Sequence, residues 1–248
     1  MKPVCLVIGA GAGIGGTVGK RFAREGYHSV LCRRSNEEGL QTLVKAIEDE
    51  GGSATGFILN AVEDGAIENQ IATIEAEIGP IEVVVYNLGA QIGNRALEDT
   101  GYKAFEMGWR MATFGLFRTA SILCPLMEKR GKGTFLVTSA TSAMRGNAGQ
   151  HSHAAAMGGR RMLCQSLNAQ YASKGIHVAH ILVDGAVDAP DTLGKMLGKE
   201  GFQKLRETRG MENDGLMLPD KMADTYFHIS QQPHEGRTHD LEMLAFTD

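Results

Sequence analysis

The stretch Val4-Cys5-Leu6-Val7-Ile8-Gly9-Ala10-Gly11-Ala12-Gly13-Ile14-Gly15-Gly16, VCLVIGAGAGIGG over residues 4–16, joins an unbroken apolar run to a cluster of glycines. A short apolar run that stops at glycine reads as a strand buried on both faces, as in a parallel sheet. The glycines let the backbone turn sharply and approach a ligand where a Cβ would not fit. A helix that starts there presents unsatisfied N–H groups and a partial positive charge, which suits a phosphate. Two spacings are available, Gly9-x-x-x-Gly13-x-Gly15 and Gly11-x-Gly13-x-x-Gly16. The first fits better, because the strand reads as ending at Ile8. Flavin and methyl-donor proteins use similar turns, so the weight of the signal lies in its position between a strand and a helix.

Outward from this turn, strand-like and helix-like segments alternate. Gly13 to Gly26 reads as a helix, HSVLCRR (28–34) as a strand, and Glu37–Glu50 as an amphipathic helix with Leu40, Leu43, Val44 and Ile47 on one face. ATGFILN, IEVVVYN, GTFLVTS and IHVAHILV read as later strands, separated by helices over 64–79, 101–129 and 153–174. Such alternation predicts an α/β chain: a single-domain, Rossmann-like doubly wound parallel sheet with helices on both faces, spanning 1–248. After Gly185 the alternation fails. Residues 189–217, with Met196, Met211 and Met217 among lysines, arginines and glycines, suit a lid over a substrate site, or else a surface excursion. LEMLAF (241–246) can supply a last strand.

The composition excludes several classes. A net charge of −4 gives no electrostatic footprint for nucleic acid. No apolar run approaches the length that crosses a membrane, and MKPVCLVIGAGAG lacks the charged-then-apolar order of a signal peptide. Cys5, Cys32, Cys124 and Cys164 sit in apolar stretches without ligand spacing, which reads as reduced core thiols in a cytoplasmic chain and offers no metal site.

The end of the second strand tests which dinucleotide the turn would hold. A site for NAD usually carries an acid there to accept from the ribose 2′-hydroxyl. This chain has Cys32, Arg33 and Arg34, with no acid before Glu37. A guanidinium matches a 2′-phosphate in charge and in bidentate geometry. Arg33 therefore points to NADP(H) over NAD(H), while Arg34 reads as cover for the sheet edge.

With Gly9, Gly13 and Gly15, with Tyr86-Asn87-Leu88-Gly89 after the fourth strand, and with Asp184-Gly185 after Ile176–Val178, the chain resembles the short-chain dehydrogenase/reductase superfamily over roughly residues 3–190. The resemblance implies an NAD(P)-dependent oxidoreductase acting on a small molecule. Its cofactor candidates are Gly9, Gly13, Ile14, Gly15, Arg33, Asn60, Asn87, Gly89, Gly185 and Val187. Asn60 stands where the family often has an adenine-contacting aspartate, and Asp184 replaces the proline of a Pro-Gly turn. The family's interface helix corresponds to 153–174, whose Ala154, Ala155, Ala156, Gly158 and Gly159 suit close helix packing, so a homodimer or homotetramer is implied.

At the catalytic positions the chain departs from the family pattern of asparagine, serine, tyrosine and lysine. Aligned without gaps, these four positions hold Ala112, Ala140, His153 and Met157. Histidine titrates near neutrality and can exchange a proton with an alkoxide unaided. His153 is thus the candidate acid–base, with Thr141 or Ser139 as the hydroxyl that holds a substrate oxygen. The bland alternative is that His153 merely starts a helix. Arg160 and Arg161 follow Met157 by three and four residues; one could restore the lost charge, although a solvated or interface role is expected. Three functions fit: an NADP(H)-linked carbonyl or alcohol oxidoreductase, a nucleotide-binding protein without turnover, or a non-redox lyase, hydratase or isomerase using His151, His153 and Asp184.

Overall fold

The structure is a computed structural model that describes residues 2–89, 94–210 and 215–245. Its centre is a parallel sheet of seven strands: β1 (Val4–Ile8), β2 (His28–Arg33), β3 (Ser53–Ile58), β4 (Ile81–Tyr86), β5 (Gly133–Ala140), β6 (Ile176–Asp184) and β7 (Asp240–Leu244). They lie in the order β3-β2-β1-β4-β5-β6-β7, so the chain reverses direction across the sheet between β1 and β4. The carboxyl ends of those two strands form a crevice, the place where open α/β sheets bind ligands. Gly9 leaves β1 there, and Asn87 leaves β4 beside it. LEMLAF pairs as β7 through Leu244, while Phe246 lies outside the described residues.

Helices cover both faces because the central strands are mostly apolar on both sides. Cys5, Val7, Leu31, Val83 and Val85 pack against α1 (Ile14–Arg24), α2 (Glu37–Asp49) and α8 (Pro219–Ser230). Leu6, Ile8, Val30, Val84 and Tyr86 face α3 (Ala66–Thr73), α5 (Gly115–Arg130) and α6 (His151–Tyr171). The four cysteines are free and buried within these layers. Burial pushes the thiols of Cys32, Cys124 and Cys164 up to about 12, too high for nucleophilic or ligand chemistry at neutral pH.

Two departures from the expected elements matter for the site. The helix expected over 101–129 is divided into α4 (Tyr102–Trp109), a π-helical turn at Arg110–Phe114, and α5. The helix expected from 153 starts earlier, at His151, and yields to a 3-10 turn after Tyr171. In the segment 189–217, a π-helical turn at Pro190–Gly194 leads into α7 (Lys195–Arg209), and Val187 and Met217 form an isolated parallel bridge. Residues 211–214, Met211 among them, lie outside the described residues. No helix among the described residues is long and apolar enough to cross a membrane.

Candidate active site

The glycine turn is built as its spacing requires. Gly9 has φ +102°, open to glycine and strained for other residues, and its amide bonds back to Cys32 O at 2.9 Å. A Cβ on Gly15 would stand 2.2 Å from Gly9 O and 2.9 Å from Asn87 Nδ2, so α1 can pack against the turn only through glycine. Gly13 precedes α1, whose first residue is Ile14, and no side chain caps this end. Gly9, Gly13, Ile14 and Gly15 thus surround one helix N-terminus. Asn87 Nδ2 donates to Gly9 O at 3.0 Å and ties the turn to the end of β4. A cleft of about 320 Å³ opens beside the turn, lined by Gly11, Thr17, Lys20, Leu43, Asp188 and Pro219.

Arg33 ends β2 and crosses the first turn of α2, where a Cβ on Gly39 would come within 3.1 Å of its Nη1. Its Nη2 lies 3.0 Å from Asp191 Oδ2, in an ion pair with little solvent exposure. Burial would raise the Asp191 carboxyl. The Ala12 N–H, Lys195 and Arg33 outweigh burial and hold it below the usual carboxylate range. Asn60 is half-buried after β3 and donates to Glu63 Oε1 at 2.7 Å. Gly89 is exposed, with nothing within 4 Å of where its Cβ would be. On the far side of the crevice, a Cβ on Gly185 would meet Ala245 at 2.6 Å and Met217 Sδ at 3.0 Å, so the turn after β6 is packed under the bridge at Val187.

The catalytic candidates lie on three elements that pack together: Ser139 on β5, Thr141 on the 3-10 turn Thr141–Ala143, and His153 on α6. His153 sits half-buried in the first turn of α6, one turn before Met157 on the same helix face. Met157, Ala112 and Ala156 are buried in a small apolar cluster, with Ala143 packed against it. Ser139 is buried there too, its hydroxyl 3.8 Å from Met157 Sδ in a weak contact. Ser139 is therefore turned into the protein, whereas Thr141 is half-buried at the rim. The π-helical turn places Thr113, whose hydroxyl donates to Ala156 O at 2.6 Å, against α6. A Cβ on Gly159 would lie 3.2 Å from Thr113 Oγ1, so that glycine serves a contact inside the chain, whereas Gly158 faces open space.

Arg160 corrects an expectation. Far from being solvated, it is buried at 1 % exposure. Its Nε donates to Ala112 O at 3.0 Å, its Nη2 to Leu88 O at 2.5 Å and its Nη1 to Thr138 O. The guanidinium also lies over the Tyr86 ring, 5.4 Å from the centroid. Burial lowers its proton affinity, against the opposing pull of Tyr86. It joins the segment after β4, the π-helical turn and β5. Arg161 stays near the surface and pairs with Asp240 at 2.9 Å. Sequence reasoning passed over both the burial of Arg160 and the presence of Asp191. The first had only one trace, the seven-residue spacing from His153 that puts both on one face of α6.

Comparison with known proteins agrees with this architecture. The family model described as short chain dehydrogenase matches residues 3–193. The short-chain reductase protein NovJ of Streptomyces niveus is 28% identical over 238 residues, which cover 95% of this chain and 89% of that protein. The 3-oxoacyl-[acyl-carrier-protein] reductase FabG of Thermotoga maritima is 28% identical over 193 residues, 76% of each chain. Among solved structures, a short-chain dehydrogenase from Rhodopseudomonas palustris superimposes with a TM-score of 0.82 at 29% identity, covering 98% of this chain and 99% of that one. A gluconate 5-dehydrogenase from Burkholderia cenocepacia in complex with NADP and tartrate gives a TM-score of 0.82 at 22% identity, over 99% and 95% of the two chains. With a family match running from β1 to the turn after β6, the chain belongs to the short-chain dehydrogenase family.

Proposed function

We propose that the chain is an NADP(H)-linked oxidoreductase of small or medium carbonyls and alcohols, with His153 as its acid–base group. The observation that carries this reading is that, on the carboxyl-end side of one parallel sheet, a glycine turn opens α1, a guanidinium at Arg33 ends β2, and a histidine begins the helix that follows β5. The gluconate 5-dehydrogenase that shares the fold holds NADP, which supports the choice of nucleotide.

The residues fit such a cofactor. Gly9 and Gly13, whose own N–H groups bond to Cys32 O and Gly11 O, would shape the turn, while Ala12, Ile14 and Gly15 would offer backbone N–H groups to the diphosphate and Arg33 would take the 2′-phosphate. Asn60 and Gly89 border the adenosine side, Asn87 acts through the turn it ties down, and Gly185 with Val187 borders the nicotinamide end. When bound, a nicotinamide dinucleotide supplies or accepts the hydride. His153 gives a proton to the substrate oxygen in reduction and takes one back in oxidation, while the Thr141 hydroxyl holds that oxygen. Ser139 stands behind as packing. Met157 leaves the nicotinamide ribose without an ammonium partner, a loss of about 1–3 kcal/mol at that end. Residues 189–217 border the substrate side as a lid within one domain spanning 1–248, and the chain works as a homodimer or homotetramer. The four buried thiols suit a cytoplasmic setting.

NADPH oxidation across a panel of aldehydes and ketones tests this. Wild-type protein is expected to turn over, and H153A to lose about 10²-fold or more in kcat with NADPH affinity retained. Tight NADPH binding with no turnover on any substrate would instead favour a nucleotide-binding protein without hydride transfer. The apolar cluster around Met157 supports that second reading.

A further inference from the structure

One carboxylate stands both at the glycine turn and against the guanidinium read above as the 2′-phosphate partner. Asp191, on the π-helical turn after β6, accepts the Ala12 N–H of the glycine turn at 2.7 Å through Oδ2. The same oxygen receives Arg33 Nη2 at 3.0 Å, and Lys195 holds Oδ1 at 3.3 Å. The approach is close: a Cβ on Gly11 would come within 3.3 Å of the carboxylate, and one on Gly13 within 2.8 Å of Ala189 Cβ. Ala12 and Arg33 lie 179 and 158 residues away in sequence, so the pairing is made by the fold and not by local geometry. A carboxylate oxygen and a phosphate oxygen seek the same donors, namely backbone N–H groups at a helix start and a guanidinium.

Resting on the nucleotide reading above, we propose that Asp191 is an internal competitor of the dinucleotide, holding the Ala12 N–H and the Arg33 guanidinium until phosphate displaces it. The two cofactors oppose it unequally. NADP(H) brings a diphosphate to the glycine turn and a 2′-phosphate to Arg33, so it must break both contacts. NAD(H) brings only the diphosphate and can leave Arg33 paired with Asp191. Asp191 therefore weakens NADP(H) more than NAD(H) and determines how strongly the site prefers one over the other. Displacement also frees the turn 190–194, and with it the start of α7, so cofactor binding loosens the segment that borders the substrate side.

Calorimetry on the full chain, wild type against D191N, with NADPH, NADH and adenosine 2′,5′-bisphosphate as ligands, tests this. D191N is expected to tighten NADPH and the bisphosphate about tenfold or more, the scale of a charged hydrogen bond, and NADH by a smaller factor. Equal affinities in the two proteins, or equal gains for NADPH and NADH, would overturn the proposal. No binding of any of the three ligands to either protein would remove the nucleotide reading itself and the proposal with it. Hydrogen exchange on wild-type protein gives a readout independent of the variant. Faster exchange over 188–194 on adding NADPH supports displacement, and slower exchange, as for a lid that closes onto its ligand, contradicts it.

Discussion

Arg160 brings a positive charge into the interior and meets it with three backbone carbonyls and the Tyr86 ring. An ionised group out of water is tolerated only where its donors are well satisfied, and removing it leaves the carbonyls of Leu88, Ala112 and Thr138 without their partner. R160M keeps much of the side-chain length and removes the donors. It is expected to lower stability by about 3 kcal/mol or more in urea denaturation, the scale of breaking a buried charged network. A change within about 1 kcal/mol would mean that water or backbone motion re-satisfies the carbonyls. The same residue shows where sequence reading runs out. The spacing of His153, Met157 and Arg160 puts them on one helix face, but only the packing of α6 on β5 and the π-helical turn decides that this face looks inward. Gly15 is the opposite case, because its place in the glycine run between a strand and a helix already pointed to the close approach that the structure shows. G15A drives a Cβ to 2.2 Å from Gly9 O, and is expected to weaken NADPH binding at least tenfold by calorimetry.

Strand and helix order could be read because each element carries its own hydrophobic period. The interrupted helix α4–α5 could not, since a π-helical turn changes the repeat by a single residue, within the play of a mixed apolar pattern. The turn leaves a visible signature in three dimensions: Trp109 and Phe114, five residues apart, stack at 5.3 Å with their planes 15° apart. The β6–β7 edge was readable as strands but not as a polar seam. His177 and His180 are buried on β6, bonded to Thr238 O and to Asp240 Oδ1, each at 2.7 Å. Burial lowers both imidazoles below their ordinary value of 6.5, although Thr238 and Asp240 pull the other way. The contact between His180 and Asp240 is thus a neutral N–H on a carboxylate near pH 7. An imidazole depressed in the folded state costs nothing where both states are neutral. Below about pH 6.5 the unfolded chain takes up protons that the folded chain does not, and stability falls until the folded groups titrate. The melting temperature is expected to drop between pH 7.5 and 5.5, with a shallower slope in H180N. The Asp240 carboxyl, also held low, adds its own loss only at more acidic pH, so a flat profile across this window would contradict the burial argument.

At the scale of the whole molecule, what remains open on the surface is a row of large apolar side chains along α4, the π-helical turn and α5. Tyr102 is 95% exposed, Phe105 40%, Trp109 41% and Phe117 51%, and Phe114 stacks between Trp109 and Phe117. Met162, on neighbouring α6, is 53% exposed. Single apolar residues at a surface are ordinary, but a row of them on adjacent helices is the kind of surface that interaction sites use. The proposed homodimer or homotetramer gives that row a partner, because helices of two copies can lay the same face against each other about a two-fold axis. Sedimentation at micromolar concentration is expected to give a dimer or larger for the wild type. A W109E/F117E double variant, which places charge in the middle of the row, is expected to shift the chain to monomer while its circular dichroism is retained. A wild type that sediments as a monomer would remove the homo-oligomer and leave the aromatic row without its proposed partner.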